Sequence, residues 1–343
     1  MNTPKSTVIY HSADFDGIFC REIARKFLGE SAEYIGWNHG DPLIKMPEEG
    51  TVYILDLSPD CLDASQIQGK YWSRIVWIAH HKSSIEKYST PPYPPINGYR
   101  IDGVAACRLA WQWFFNETVR EVMNDPAYLP DKHAFVQRNV KEPRAVRLAG
   151  EYDIWDKRDP DADVFQYGLR SEKLDELWPS LLTTNSAEER HRGWNVVTGL
   201  LKNGELLQRY QREQDASVIT HNGFDLEFDG LKFLACNAAR FNSHLFTAAI
   251  RPEHDALFGF CWDGTQWKIS LYHAPGKEHH DLSKIAVKYG GGGHRGACGF
   301  QVNSSMLPWS HLELMENIKI KMGTAGAPLF PVHTLGNAKE LPA

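Results

Sequence analysis

Residues 6–28 read STVIYHSADFDGIFCREIARKFL, and the order of signals in this stretch decides the fold class. Ser6 to Tyr10 is a short β-branched run that stops at a polar cluster, His11-Ser12-Ala13-Asp14-Phe15-Asp16-Gly17. Gly17 to Leu28 then carries apolar residues at helical spacing. Thr51 to Leu55 (TVYIL) and Arg74 to Ile78 (RIVWI) repeat the strand signal, and each again ends at polar residues. Strands separated by helical or loop segments predict an α/β domain with a parallel sheet and crossovers. In such sheets the ligand crevice lies beyond the carboxyl ends of the strands. The polar clusters after the three strands are therefore expected to converge.

Residues 104–150 read as helical, with a Pro-containing loop near Asp125 to Asp131. Residues 186–217 form one long polar-faced helical linker. From Val218 the texture turns to β: VITHNGFDLEF, LKFLACN, ALFGFCW and TQWKISLYH, with Asp263-Gly264 as a hairpin signal. A helix (DLSKIAVKY), the run GGGGHRGACGF and a last helix near 308–322 follow, and the tail is rich in Gly and Pro. The expected organisation is a catalytic domain at 1–185, a helical linker at 186–217, a smaller α+β domain at 218–322 and an irregular tail at 323–343.

With 343 residues the chain is long enough for two domains. A net charge of −6 excludes a basic nucleic-acid sleeve, although metal ions can still hold phosphates locally. No apolar run approaches 20 residues, so no membrane span is expected. The N-terminus lacks the apolar core of a signal peptide. The six cysteines are scattered without a CxxC pair and read as reduced thiols of a cytoplasmic protein.

Four segments carry the chemistry: His11 to Gly17, Asp56 in ILDLS, Ala79-His80-His81-Lys82, and Asp153 in GEYDIWD. The first three follow strands. Taken singly, an Asp after a strand is usually a turn or cap residue, and a His-His pair is weak. Together they present carboxylates and imidazoles to one crevice. Carboxylates that close repel one another and are costly to bury, so a divalent ion is the natural counter-charge. Oxygen-rich sites with some imidazole suit manganese or magnesium better than a thiolate-preferring zinc site. Two such ions about 4 Å apart can activate a water and clamp a phosphoryl group.

These segments resemble the motifs of the DHH phosphoesterase superfamily, named for an Asp-His-His triplet. Within it the chain looks most like the short-oligonucleotide phosphodiesterases (nanoRNases, or oligoribonucleases), with exopolyphosphatases and family II pyrophosphatases as cousins. HSADFDG, ILDLS, IAHHKS and EYDIWD match the four motifs in order, and GGGGHRGACGF resembles the signature of the DHH-associated C-terminal domain. The resemblance implies that His11, Asp14 and Asp56 hold one manganese ion. Asp16, Asp56, His80 and Asp153 would hold a second, with Asp56 bridging and Mg2+ or Co2+ as substitutes. His81 would face the scissile phosphate. The spacing from His11 to Asp14 is one residue shorter than in many members. The name-giving triplet reads Ala79-His80-His81, where an Asp is expected at 79 to complete the catalytic group. With the other motifs intact, Ala79 reads as a substitution that disables turnover. If it is natural, the alternative is a non-catalytic nucleotide-binding protein.

A run of four glycines permits positive φ and close backbone approach, so its amides can form an anion nest. Gly291, Gly292, Gly293, His294 and Arg295 are expected to cradle substrate, with Arg240 as a further cation. Tyr272 and His273 are placed nearby, at a strand end. In the family this loop faces the metals across an inter-domain cleft. The aromatic residues are dispersed and single out no stacking platform. The implied function is a dimetal phosphodiesterase (a hydrolase and exonuclease) cleaving short oligonucleotides or dinucleotides to mononucleotides. An exopolyphosphatase or pyrophosphatase is the alternative enzyme, and a homodimer is compatible with either.

Overall fold

The computed structural model describes residues 6–63, 69–122, 125–156, 158–184, 187–239 and 241–302. The chain divides into two compact units, Met1–Gln208 and Arg209–Ala343. The first contains the strands β1 (Ser6–His11), β2 (Ala32–Trp37), β3 (Thr51–Leu55), β4 (Ile75–Ala79) and β5 (Asn97–Arg100). They form one parallel sheet in the order β2-β1-β3-β4-β5. Its helices are α1 (Phe15–Leu28), α2 (Lys82–Tyr88), α3 (Ala106–Phe115), α4 (Glu117–Glu121), α5 (Lys132–Val136), α6 (Arg144–Asp153), α7 (Asp161–Arg170) and α8 (Trp178–Leu181).

The three strands read from the sequence are the three central ones, so their carboxyl ends are neighbours. β2 and β5 are additions that the sequence pattern did not announce. β2 (AEYIGW) alternates poorly, and β5 (NGYR) is short and opens on polar residues. Both are edge strands, where one side of the ladder is free and the apolar pattern is weak. Each face of the sheet is covered. Val8, Leu55, Val76 and Ile78 pack with α1, α3 and α6, whereas Ile9, Ile54, Trp77 and Ala79 belong to a second cluster with Trp37 and Tyr88. The alternation along β4, with 76 and 78 on one face and 75, 77 and 79 on the other, is the period of two expected of a strand.

Helix α9 (Ala187–Asn222) runs through the boundary between the units. The β texture expected from Val218 is corrected here, because residues 218–222 are its last turn and the first strand of the second unit opens at Gly223. Ile219 is buried on the helix, so packing outweighs the β propensity of the Val-Ile-Thr triplet. The second unit holds β6 (Gly223–Phe228), β7 (Leu231–Asn237), β8 (Ala256–Trp262), β9 (Trp267–His273), α10 (Leu282–Lys288), β10 (Gly292–His294) and β11 (Ala297–Val302). Its sheet runs β10-β11-β9-β8-β7-β6, with β7 and β8 parallel and the other pairs antiparallel. The hairpin expected at Asp263-Gly264 joins β8 to β9, and the Asp263 carboxylate accepts from the Thr265 and Gln266 amides. Phe228, Phe233, Phe258, Phe260 and Phe300 fill one face of this sheet. The expected helix near 308–322 and the tail lie outside the described residues. Among the described residues no helix is long and apolar enough to cross a membrane.

Candidate metal centre

Three strand ends and two helices place the acidic and histidine side chains. His11 is the last residue of β1, Asp56 follows β3, and His80 and His81 follow β4. Asp14 is the N-cap of α1, its carboxylate accepting from the Gly17 amide at 3.0 Å. Asp16 lies in the first turn of that helix, and Asp153 is the last residue of α6. Asp56 has φ of 57°, a left-handed conformation that costs energy in a residue with a Cβ and that Asp tolerates better than most. Its amide donates to the Ile78 carbonyl at 2.9 Å, which continues the β3–β4 ladder by one bond and holds the turn.

All six expected ligands come together. His11 Nδ1 is 3.0 Å from Asp14 Oδ2 and 3.6 Å from Asp56 Oδ2. His80 Nε2 is 3.3 Å from Asp56 Oδ1, 3.3 Å from Asp153 Oδ2 and 3.6 Å from Asp16 Oδ2. His81 Nδ1 lies 3.9 Å from Asp56 Oδ1. The ligand atoms fall into three groups, each within 4.8 Å: His11, Asp14 and Asp56; Asp16, His80 and Asp153; and Asp56, His80 and His81. Asp56 and His80 therefore tie the groups together. Asp16, Asp56 and His80 are buried, whereas Asp14 is half-buried.

The electrostatics are those of a site missing positive charge. Burial raises the Asp16 carboxyl well above its usual range, and the charges of Asp56 and Asp153 add to the effect. Asp153 is pushed up to about 7, again by burial first. Burial works against the charged form of His80, yet the adjacent Asp56 carboxylate and the charges of Asp153 and Asp16 lift it to about 10. His11 reaches about 10 against the same burial cost, through Asp14 and Asp56. Asp56 is held below its usual range despite burial, because the imidazoles of His11 and His80 stand beside it. Asp56 Oδ1 and Asp153 Oδ2 are buried and lack a well-aligned donor, although His80 Nε2 stands 3.3 Å from each. Under-satisfied anionic oxygens beside imidazole nitrogens, with no thiolate ligand, fit a hard divalent cation such as Mn2+ or Mg2+.

The sequence did not disclose what holds Asp16 in place. Its two oxygens accept from the Ala106 and Cys107 amides at 2.9 and 2.7 Å, across 90 and 91 residues. These are the first amides of α3, whose N-cap is Ala105 and offers no side-chain bond. An uncapped helix start is the one signal that could have revealed this acceptor. Gly17 is equally specific, since a Cβ there would stand 1.9 Å from the His11 carbonyl oxygen. Only glycine lets α1 start this close to the end of β1.

Other expectations are corrected. An Asp at position 79 would not share the cavity of Asp56, because Ala79 is fully buried in the cluster of Trp77 and Ile54, on the face of β4 opposite Ile78. Strand alternation puts Ala79 on the side of Ile75 and Trp77. In the second unit the glycine run is less of a nest than expected. The Gly290 and Gly291 amides donate to Val287 and Ala286 carbonyls and so close the end of α10. Gly292, Gly293 and His294 form β10, paired with Gly299, Cys298 and Ala297. Arg295 donates from Nε and Nη2 to the carbonyls of His280 and His279. His273 contacts the same His280 carbonyl through Nε2 at 2.8 Å, and Tyr272 pairs with Ala297. Arg240 lies outside the described residues.

No family model matches the chain. Among curated proteins it is 25% identical over 229 residues to an uncharacterized protein, R106, of Acanthamoeba polyphaga mimivirus. The match covers 65% of this chain and 46% of that protein, so the chain spans a little under half the length of its curated relative. Among solved structures it resembles the DHH domain of a member of the s1p family of ribosomal proteins. That likeness has 15% identity, 92% of this chain and 85% of that chain covered, and a TM-score of 0.52. The fold is thus that of a DHH-domain protein, an α/β unit with a parallel sheet followed by a separate sheet domain. RecJ from Thermus thermophilus, solved with Mn2+, is more distant: 14% identity, 89% and 50% coverage and a TM-score of 0.46.

Proposed function

We propose that the chain is a metal-dependent phosphodiesterase that cleaves short oligonucleotides or dinucleotides to mononucleotides. The observation that carries this reading is the shared cluster, in which Asp56 and His80 link three ligand groups and two buried carboxylate oxygens lack a well-aligned donor. His11, Asp14 and Asp56 would hold one manganese ion, and Asp16, Asp56, His80 and Asp153 a second. Bound there, such ions lower the pKa of an attacking water and draw charge from phosphoryl oxygens. The Asp16 carboxylate is held by two backbone amides, and the Asp56 backbone by its amide bond to the Ile78 carbonyl, before any substrate arrives, so the site is pre-organised. His81 is the most solvent-accessible imidazole of the group, with 34% of its side chain exposed, and is the one able to face a phosphoryl oxygen. The glycine hairpin with Arg295, together with Arg240, is read as the substrate-holding part of the second unit. Six free cysteines, five of them buried, accord with a reducing, cytoplasmic setting.

Ala79 is read as lowering turnover. An Asp there would immediately precede the two histidines in the chain and act through the backbone that carries them. The test is product analysis by mass spectrometry with manganese, using dinucleotides, cyclic dinucleotides and polyphosphate, for this chain and its Ala79→Asp variant. Dinucleotides are expected to yield mononucleotides slowly with the present chain and at least tenfold faster with the variant. The variant should also lose about 2 kcal/mol of metal-free stability, because it buries a carboxylate among apolar side chains. Turnover of polyphosphate alone would assign the chain to the polyphosphatase alternative. Nucleotide binding without turnover in either form would make it a binding protein.

A further inference from the structure

Beside the metal ligands, and wholly within the first unit, lies a pocket of about 230 Å3. Asp16 and Asp153 stand on one side, and Phe15, Tyr152, Gln166 and Arg170 form the rest of the wall that matters here. Gln166, on α7, is only 2% exposed, and it lines this pocket. A carboxamide at the wall of an open pocket can offer its donor and acceptor to an occupant. Arg170 lies over the Phe15 ring at 5.4 Å from its centre, donates to the Gln166 carbonyl and hydrogen-bonds Tyr152. Its charge is therefore spent on holding a flat wall in place.

We infer that this pocket is a nucleobase subsite, in which Gln166 reads the edge of a base and Phe15 with Arg170 forms its stacking face. The inference rests on the phosphodiesterase reading and names the part of the substrate that adjoins the metals. A carboxamide presents donor and acceptor side by side in one plane, which matches a base edge such as that of adenine. Aromatic and guanidinium faces stack on any base. The volume falls below the roughly 300 Å3 at which drug-sized ligands are enclosed, so it suits one flat ring system and not a whole nucleotide. Asp16 and Asp153 on the adjoining wall disfavour a second phosphate there, and a neutral base avoids that repulsion.

The experiment compares an intact dinucleotide with versions lacking one base or the other, with Mn2+, for this chain and its Gln166→Leu variant. The chain should show kcat/KM about ten- to a hundredfold higher for the intact substrate than for one of the abasic forms, and Gln166→Leu should erase most of that ratio. Saturation-transfer NMR with adenosine and metal-free protein gives a second readout, with transfer to the base protons expected in the chain and lost in the variant. Equal kcat/KM for intact and both abasic dinucleotides would overturn the subsite while leaving the phosphodiesterase reading intact. No turnover of any ester, together with Gln166-dependent contacts to adenosine, would overturn the phosphodiesterase reading and uphold the subsite. If Gln166→Leu fails to fold, the comparison of intact and abasic substrates on the unaltered chain decides.

Discussion

At the scale of single residues, the centre depends on groups that are not themselves ligands. Gly17 separates the two ends of the first motif: its amide caps onto Asp14, and its missing Cβ leaves room for the His11 carbonyl. A methyl at 1.9 Å from a backbone oxygen cannot be absorbed by a side-chain rotation, so either α1 or the end of β1 must move. Gly17→Ala is therefore expected to weaken Mn2+ binding at least tenfold, as loss of supporting contacts does at metal sites, and to cost about 1–3 kcal/mol of stability. Calorimetric titration with Mn2+ checks the first effect and denaturant unfolding the second. Wild-type Mn2+ affinity in a folded Gly17→Ala protein would show that the helix start does not set the ligand geometry.

At the scale of elements, α3 holds the Asp16 carboxylate through its first amides and α6 carries Asp153 to the strand ends, and buried ion pairs fix the two helices. Arg108 on α3 is 1% exposed and pairs with Glu142 just before α6, with Nε at 3.0 and 3.1 Å from its two oxygens. Glu151, two residues before Asp153 and fully buried, accepts from Arg138 and Arg147. Removing one partner of such a pair strands the other charge out of water. Glu142→Ala should cost about 3–5 kcal/mol, whereas replacing both residues, as in Arg108→Met with Glu142→Leu, should recover much of it. Urea unfolding of the two variants measures the difference. A loss below about 1 kcal/mol in Glu142→Ala would mean that the pair does not brace α6.

At the scale of the whole molecule, the six proposed ligands belong to the first unit, so metal and pH should act on its unfolding. His11 and His80 have folded-state values raised from 6.5 to about 10. The stability they contribute is fully present below about pH 6.5 and is lost as pH rises towards 10. Asp153, raised from 3.8 to about 7, is favoured in its protonated form in the folded state. Its effect is a loss of stability as pH climbs from about 4 to 7. Both act in one direction, so the metal-free protein is expected to lose stability from this cluster across about pH 4 to 10. Mn2+ competes with those protons, so its stabilising effect should grow over about pH 6–9. Scanning calorimetry with and without Mn2+ checks both slopes. A Mn2+ shift that shrinks as pH rises would contradict the assigned charges.

The chain itself determines the parallel sheet and the meeting of its polar strand ends, because both follow from short-range pattern: β-branched runs that stop at Asp or His, separated by helix. Residues one to three apart after a strand have nowhere to go but the carboxyl edge, which is why His11, Asp14, Asp56 and His80 are legible in the sequence. Edge strands β2 and β5, the last turn of α9 and the spent amides of Gly290 and Gly291 are not, since neighbours distant in sequence decide them. The same holds for Ala79, whose side chain belongs to the apolar face because strand alternation outranks its place in a motif. Asp16 finds its partners some 90 residues away at an uncapped helix, and Gln166 comes to line an open pocket only when α1, α6 and α7 are packed together. Local sequence sets which groups can meet at the strand ends; long-range packing decides which of their hydrogen bonds are already used and which are left for a ligand.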